Sequence, residues 1–237
     1  MRKILLVEPA FPIPKKSKNH KNFLPIGLLK IASYLREKGN QIYLIRGTQE
    51  LSHEIDNVRT LKPNEIWITS LFTYWAKYVK NSAQFYRNIF PKAKIIVGGI
   101  YASLLPEKEV KEYTGCDEVY QGVIPEAEKL PPAYDLLINA NPHPIDYQII
   151  HTTRGCKRKC SFCGTWKIEP EFIAINSIKD RIKFKKLVFY DNNFLANPFI
   201  KNILNELIEL KKEKKIIWCE SQSGFDGRIL LKKPYLV

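Results

Sequence analysis

Three thiols fall within eight residues of this chain, at Cys156, Cys160 and Cys163 in the segment His-Thr-Thr-Arg-Gly-Cys-Lys-Arg-Lys-Cys-Ser-Phe-Cys-Gly that runs from 151 to 164. Their spacing permits a packing explanation, because steps of four and three place all three on one helical face, where buried cysteine acts as a small apolar residue. Gly155 and Gly164 bracket the segment and Lys157, Arg158 and Lys159 stand inside it, which argues against a buried helix. Metal ligation is the stronger reading. Structural zinc takes four ligands in a tetrahedron, so a fourth would have to come from Cys116, Cys219 or His151. Three thiolates on a flexible loop can instead hold three irons of a 4Fe-4S cluster and leave the fourth iron open to a substrate or cofactor.

The rest of the composition suits metal ligation. Five cysteines, an odd number with three of them adjacent, do not form the even framework of a secreted disulfide scaffold and fit a reducing compartment. Met1-Arg2-Lys3 and the apolar run Ile4 to Val7 have the charge of a signal peptide, but Glu8 and Pro9 end the run early. No stretch reaches the roughly 18 apolar residues of a membrane span, so a cytoplasmic protein is expected. The formal charge is +14, with 18 basic and 9 acidic residues in 151–237 against 20 and 15 in 1–150, so the excess concentrates beside the cysteines. Such a charge suits nucleic acid or an anionic partner, and equally a solvated, lysine-rich surface.

The elements that must position the thiols follow from hydrophobic periodicity. Short apolar runs alternate with amphipathic segments through the first 120 residues, the pattern of a parallel sheet covered by helices. Strands are expected at Ile4 to Val7, Ile42 to Ile45, Ile66 to Ser70, Ile95 to Val97 and around Glu118 to Tyr120. Helices are expected from Ile26 toward Gly39, from Gln49 to Leu61 and from Ala76 to Phe90. Gly98-Gly99 after the fourth strand allows either positive φ or a close approach of ligand to backbone. Pro125, Pro131, Pro132, Pro142 and Pro144 mark 122–146 as a linker between a domain at 1–121 and another at 147–237. Beyond it, strands at Tyr147 to Ile150, Leu187 to Tyr190 and Ile216 to Cys219, with a helix from Pro198 to about Lys212, make the second half parallel α/β as well.

Cys-x3-Cys-x2-Cys with an aromatic residue, Phe162, just before the last cysteine resembles the signature of the radical S-adenosylmethionine superfamily. The resemblance implies that Cys156, Cys160 and Cys163 hold a 4Fe-4S cluster whose open iron chelates S-adenosylmethionine. Once reduced, that cluster splits S-adenosylmethionine to a 5′-deoxyadenosyl radical. It further implies a partial barrel of βα units and a small electron-donor protein of flavodoxin or ferredoxin type as partner; Lys157, Arg158 and Lys159 would offset the charge of a thiolate-bound cluster and steer an anionic donor, and plain solvation of the loop explains them equally well. Asp191-Asn192-Asn193-Phe194 is similar to a strand-end signature of members that carry an N-terminal cobalamin-type domain. By that resemblance Asp191 or Asn193 reaches S-adenosylmethionine or orders its pocket, whereas an Asx turn capping the Pro198 helix would explain Asp191 equally well. Gln222 and Arg228, in Ser221-Gln-Ser-Gly-Phe-Asp-Gly-Arg228, follow the family pattern as further site residues.

Leu6-Val7-Glu8-Pro9, Pro25-Ile-Gly-Leu-Leu, Leu35-Arg-Glu-Lys-Gly and Val97-Gly-Gly resemble landmarks of the cobalamin-binding domain of this group. The resemblance implies a Rossmann or flavodoxin-like fold, with Ser70, Gly98 and Gly99 where the family meets the corrin tail. One departure bears on cobalamin. The Asp-x-His-x-x-Gly that supplies an axial histidine is absent after the first strand, where Glu8-Pro9-Ala10-Phe11 stands. Members of the group can hold cobalamin without that histidine, and others keep the domain with no cobalamin. Only three strands follow the linker, so the expectation is an incomplete radical domain, its ribose- and adenine-binding segments missing and its activity alone in question. The alternative function is a metal-stapled nucleic-acid-binding scaffold. Substrate and product are not legible, and no residue is assigned as catalytic.

Overall fold

A computed structural model of the chain describes residues 1–12, 24–46, 59–137 and 145–236. It divides into two compact units, Met1–His143 and Pro144–Val237. Among the described residues no helix is long and apolar enough to cross a membrane.

The first unit is built on β1 (Lys3–Glu8), β2 (Gln41–Arg46), β3 (Glu65–Ser70), β4 (Lys94–Gly99) and β5 (Glu118–Val119), all parallel in the order β2-β1-β3-β4-β5. Successive strand side chains leave on opposite faces, so a strand covered on both sides must be apolar at every position. β1 obeys this. Its Leu5 and Val7 pack with Ile66, Ile68 and Val97 on one face, while Ile4 and Leu6 meet Leu28, Ala32 and Leu35 on the other. The latter three belong to α1 (Ile26–Glu37); Val79, Ala83 and Tyr86 of α2 (Ala76–Ile89) and Val110 of α4 (Glu107–Thr114) cover the opposite face. The short α3 (Ile100–Leu104) follows β4 directly. All five expected strands form, within a residue or two of their expected ends. The expected helix from Gln49 lies outside the described residues except for Arg59 to Leu61, which are helical.

Residues read as linker from Gly122 onward are packed into this first unit as far as 137. Proline limits regular structure to single turns, α5 (Pro125–Glu128) and a 3-10 turn at Tyr134–Leu136, and the segment is held by side chains as well. Lys30 pairs with Glu128 at 2.8 Å, Ser33 donates to the Pro131 carbonyl at 2.6 Å, and both terminal nitrogens of Arg36 reach Asp135 at 3.0 and 2.7 Å. Ala133 is buried against α1. Pro142 and Pro144 lie outside the described residues.

The second unit has three parallel strands in spatial sequence, β6 (Tyr147–Ile150), β9 (Lys186–Phe189) and β10 (Trp218–Ser221). Ile200, Ile203, Leu207 and Leu210 of α7 (Ile200–Lys212) pack on them. The last strand begins two residues later than its apolar run suggests, because Ile216 is drawn under the end of α7, where its amide donates to the Leu210 carbonyl at 3.3 Å. Two short strands have no apolar signature in the sequence. β7 (Thr153–Arg154) and β8 (Ile173–Ala174) pair antiparallel, Thr153 opposite Ala174 and Arg154 opposite Ile173. Between them, after the cysteines, lies the single-turn α6 (Thr165–Ile168), and α8 (Gly227–Lys232) follows β10.

Candidate functional site

The β7–β8 pair closes the neck of a loop that runs from 155 to 172 and contains all three clustered cysteines. Gly155 is required at that neck: its φ is +73°, and a Cβ there would lie 2.1 Å from the Glu171 carbonyl oxygen. Residues 156–163 are irregular, with one turn bond from the Cys163 amide to the Cys160 carbonyl at 3.1 Å, so the helical-face explanation of the cysteine spacing does not hold.

Carboxylates brace the root of the loop. Glu169 accepts from the Gly155 amide at 2.7 Å and from Arg154 Nη2 at 2.6 Å. Asp191, fully buried at the end of β9, accepts with Oδ1 from Thr152 Oγ1 at 2.7 Å, the Thr153 amide at 2.5 Å and Thr153 Oγ1 at 2.6 Å. Its Oδ2 is buried without a hydrogen-bond partner. The Asx turn before α7 is made by another residue, Asn197, whose Oδ1 accepts from the Phe199 amide at 2.8 Å and whose Nδ2 donates to the carbonyls of Thr152 and Ile175. Asp191 is thus freed from capping and orders the strand end from which the cysteine loop leaves.

The thiols of Cys156, Cys160 and Cys163 are free and half-buried. Cys163 Sγ donates to Thr165 Oγ1 at 3.4 Å, that hydroxyl lies 3.5 Å from Asn192 Oδ1, and the Trp166 indole donates to the Cys160 carbonyl at 3.2 Å. Among the described residues no three His, Cys, Asp or Glu side chains converge as a metal-binding group, so neither His151 nor Cys219 gathers with these thiols. His151 meets the Tyr190 ring edge-on. In the chemistry of its donors the site fits an iron-sulfur cluster: three thiols outside any disulfide on one irregular loop whose root is fixed. Phe162 is 91% exposed. Lys157 lies over the Phe172 ring at 4.7 Å.

Asn193 lies in the loop after β9, Gln222 directly follows β10, and Arg228 lies in the first turn of α8. Asn193 Nδ2 donates to Asp226 Oδ2 at 3.0 Å, and the Gln222 amide donates to the Phe189 carbonyl at 2.9 Å, continuing the ladder. The Arg228 side chain is exposed and reaches Asp226 at 3.3 Å. Asp226, Glu169 and the two threonines were not anticipated; an aspartate just before a helix reads as an ordinary N-cap, which it also is, accepting from the Arg228 amide at 3.2 Å.

In the first unit the strand order reverses between β1 and β3, and open α/β sheets bind ligands outside the carboxyl ends of strands at such a point. Ser70 ends β3 there, buried, donating to the Gly98 carbonyl at 2.6 Å and accepting from the Ala102 amide at 3.2 Å. Gly99 has φ +95°, and a Cβ on it would lie 2.2 Å from the Ser70 carbonyl oxygen. Its glycine therefore serves a tight strand-to-helix turn against the protein's own backbone, while a Cβ on Gly98 would meet only ordinary contacts. Glu8, where the axial-histidine motif is absent, pairs with Arg46 at 2.6 Å, both side chains largely buried. Burial pushes the Glu8 carboxyl upward and the Arg46 charge opposes it. Beside it Phe11 stacks on Trp75 at 5.1 Å, and Phe72 stacks on Tyr74 at 5.1 Å with both rings exposed.

Residues 20–130 match the sequence profile described as the B12 binding domain. The match falls within the N-terminal unit. Solved structures of OxsB share the fold. The chain superposes on the apo, selenomethionine-labelled form of OxsB, a cobalamin-dependent S-adenosylmethionine radical enzyme, with a TM-score of 0.59 at 17% identity over 92% of this chain and 38% of that one. The form of OxsB with aqua-cobalamin and S-adenosylmethionine bound gives 0.59 at 16% identity over the same shares. A cobalamin-binding protein from Desulfitobacterium hafniense DCB-2 aligns at 14% identity over 54% of this chain and 55% of that one, with a TM-score of 0.39. The chain thus spans 38% of the length of OxsB. No curated protein matches significantly.

Proposed function

We propose that this chain is the B12-binding domain and the cluster-bearing βα units of a radical S-adenosylmethionine enzyme. The carrying observation is the Cys156, Cys160, Cys163 loop, which leaves the carboxyl end of the first of three parallel strands through a neck that admits only glycine at 155. Strand ends of this kind are where parallel α/β folds place chemistry. The fold likeness to OxsB, whose structure holds aqua-cobalamin and S-adenosylmethionine, supports the same reading.

In this reading Cys156, Cys160 and Cys163 are the thiolate ligands of a 4Fe-4S cluster. When bound, the cluster supplies the electron that cleaves S-adenosylmethionine to methionine and a 5′-deoxyadenosyl radical. The protein's part is to hold and orient. Asp191 and Glu169 fix the loop root, Asn192 and Thr165 steady Cys163, and Lys157 and Lys159 present positive charge to a flavodoxin- or ferredoxin-type donor. Phe162 on the cysteine loop, Asn193 and Gln222 after β9 and β10, and Arg228 on α8 are the residues proposed to face S-adenosylmethionine. Cobalamin is proposed on the carboxyl edge of the first sheet, beside Ser70, Gly98 and the exposed Phe72 and Tyr74 rings, without a histidine from the loop after β1.

Anaerobic reconstitution with iron and sulfide is the test. The wild-type chain should take up about four irons, and Cys160→Ala should lose the cluster absorption. A wild-type chain without iron, or an unchanged Cys160→Ala spectrum, overturns the reading.

A further inference from the structure

We infer that Asp226 is a positioning residue that latches the cysteine loop through Arg158. This rests on the proposed role of that loop but is carried by separate contacts. A helix N-cap needs one acceptor oxygen, and Oδ1 of Asp226 fills that role toward the Arg228 amide. Oδ2 does something else. It pairs with Arg158 Nη2 at 2.5 Å and accepts from Asn193 Nδ2 at 3.0 Å. One carboxylate at the end of β10 thereby takes a donor from the loop after β6 and another from the loop after β9, so the three successive strand ends are tied at a single group.

The surroundings distinguish this pair from a surface contact. The Asp226 side chain is only 10% exposed and that of Arg158 31%, whereas Arg228, the other cation on Asp226, is 72% exposed. A charge-assisted bond largely shielded from water orders its partners, and a solvent-exposed pair does little. Arg158 sits midway between Cys156 and Cys160, so anchoring it restricts where both thiols can lie. Glu169 and Asp191 hold the neck; Asp226 holds the span that carries the sulfurs. The adjacent Lys157 and Lys159 make no such bond to a carboxylate among the described residues, which leaves them to the solvent-facing, charge-steering role.

Asparagine separates the two functions of Asp226. It is as good an N-cap as aspartate, but with its oxygen on the Arg228 amide it turns an NH2 toward Arg158 and Asn193, both donors. The decisive measurement is hydrogen exchange in the metal-free full chain. Asp226→Asn and Arg158→Ala should each speed exchange of the Cys163 amide, the hydrogen-bonded amide of the 156–163 span, by about tenfold, the effect of losing one hydrogen bond to a charged group. The double variant should be no faster than either single one, and exchange in β9 should be unchanged. Unaltered exchange at the Cys163 amide in Asp226→Asn, or additive effects in the double variant, would overturn the latch. In reconstituted protein the same variants should lose iron to a chelator faster and broaden the EPR signal of the reduced cluster; loss at the wild-type rate would also count against it. If the wild-type chain takes up no iron, the proposed function fails while the exchange result still decides the latch.

Discussion

At the scale of single residues, the cysteines announce themselves by type and spacing, but the residues that give them a place do not. Gly155 shows the difference. In sequence it is one of eleven glycines; in the fold it holds φ +73° with the Glu171 carbonyl packed where a side chain would be. Gly155→Ala is expected to cost on the order of 3 kcal/mol, from left-handed strain and the displaced strand neck. Exchange should rise across 152–176, and the thermal transition of the second unit should fall while that of the first unit stays in place. An unchanged transition in the second unit would show that the neck can open without loss. Asp191 and Asp226 belong to the same class: buried acids whose sequence context, a strand end and a helix start, is met many times over at exposed positions.

At the scale of elements, the strands were legible because both faces of a central parallel strand must be apolar, and that condition writes itself into the chain as continuous runs such as Ile4 to Val7. β7 and β8 were not, since two-residue strands with Thr-Arg and Ile-Ala have no periodicity to detect. The segment 122–137 misled for a related reason: proline excludes regular structure but does not exclude packing. Its attachment to α1 includes the Arg36–Asp135 pair, where hydrogen bonding from the Arg36 guanidinium holds the Asp135 carboxyl below its ordinary value and partial burial opposes this. A depressed carboxylate contributes stability that is present above the unfolded value of 3.8 and is lost as pH falls through the lower folded value. Wild type should therefore exceed Asp135→Asn in stability at neutral pH, by a small and salt-sensitive margin because the pair is partly exposed. The two should converge in acid. Parallel acid titrations followed by circular dichroism would check this, and a margin that persists in acid would assign the effect to packing.

At the scale of the whole molecule, two units each with their own buried core imply that the first can stand alone. A chain ending at 143 should fold and melt cooperatively. One ending at 121, the boundary drawn from the proline pattern, should melt lower, because it leaves Leu29, Ser33 and Arg36 of α1 without Ala133, Pro131 and Asp135. Equal melting temperatures would return 122–137 to the status of a linker. The positive charge acts at this scale too. Its excess in 151–237 lies on the unit with the cysteine loop, where a long-range field can speed encounter with an anionic molecule without affecting the fold.

The sequence by itself determined the parallel α/β class, the five strands of the first sheet and the identity of the three thiols. Those features depend on local composition, on which residues form continuous apolar runs and which carry sulfur. Tertiary structure alone decided that 122–137 belongs to the first core, that Gly99 closes on Ser70 and that Asn197 rather than Asp191 makes the turn before α7. It also decided that Arg158 of the loop meets Asp226. Each of these is a contact between residues far apart in the chain, or a choice between like polar groups. Such choices depend on which partner the packed strands bring within hydrogen-bond reach, and no periodicity in the sequence records them.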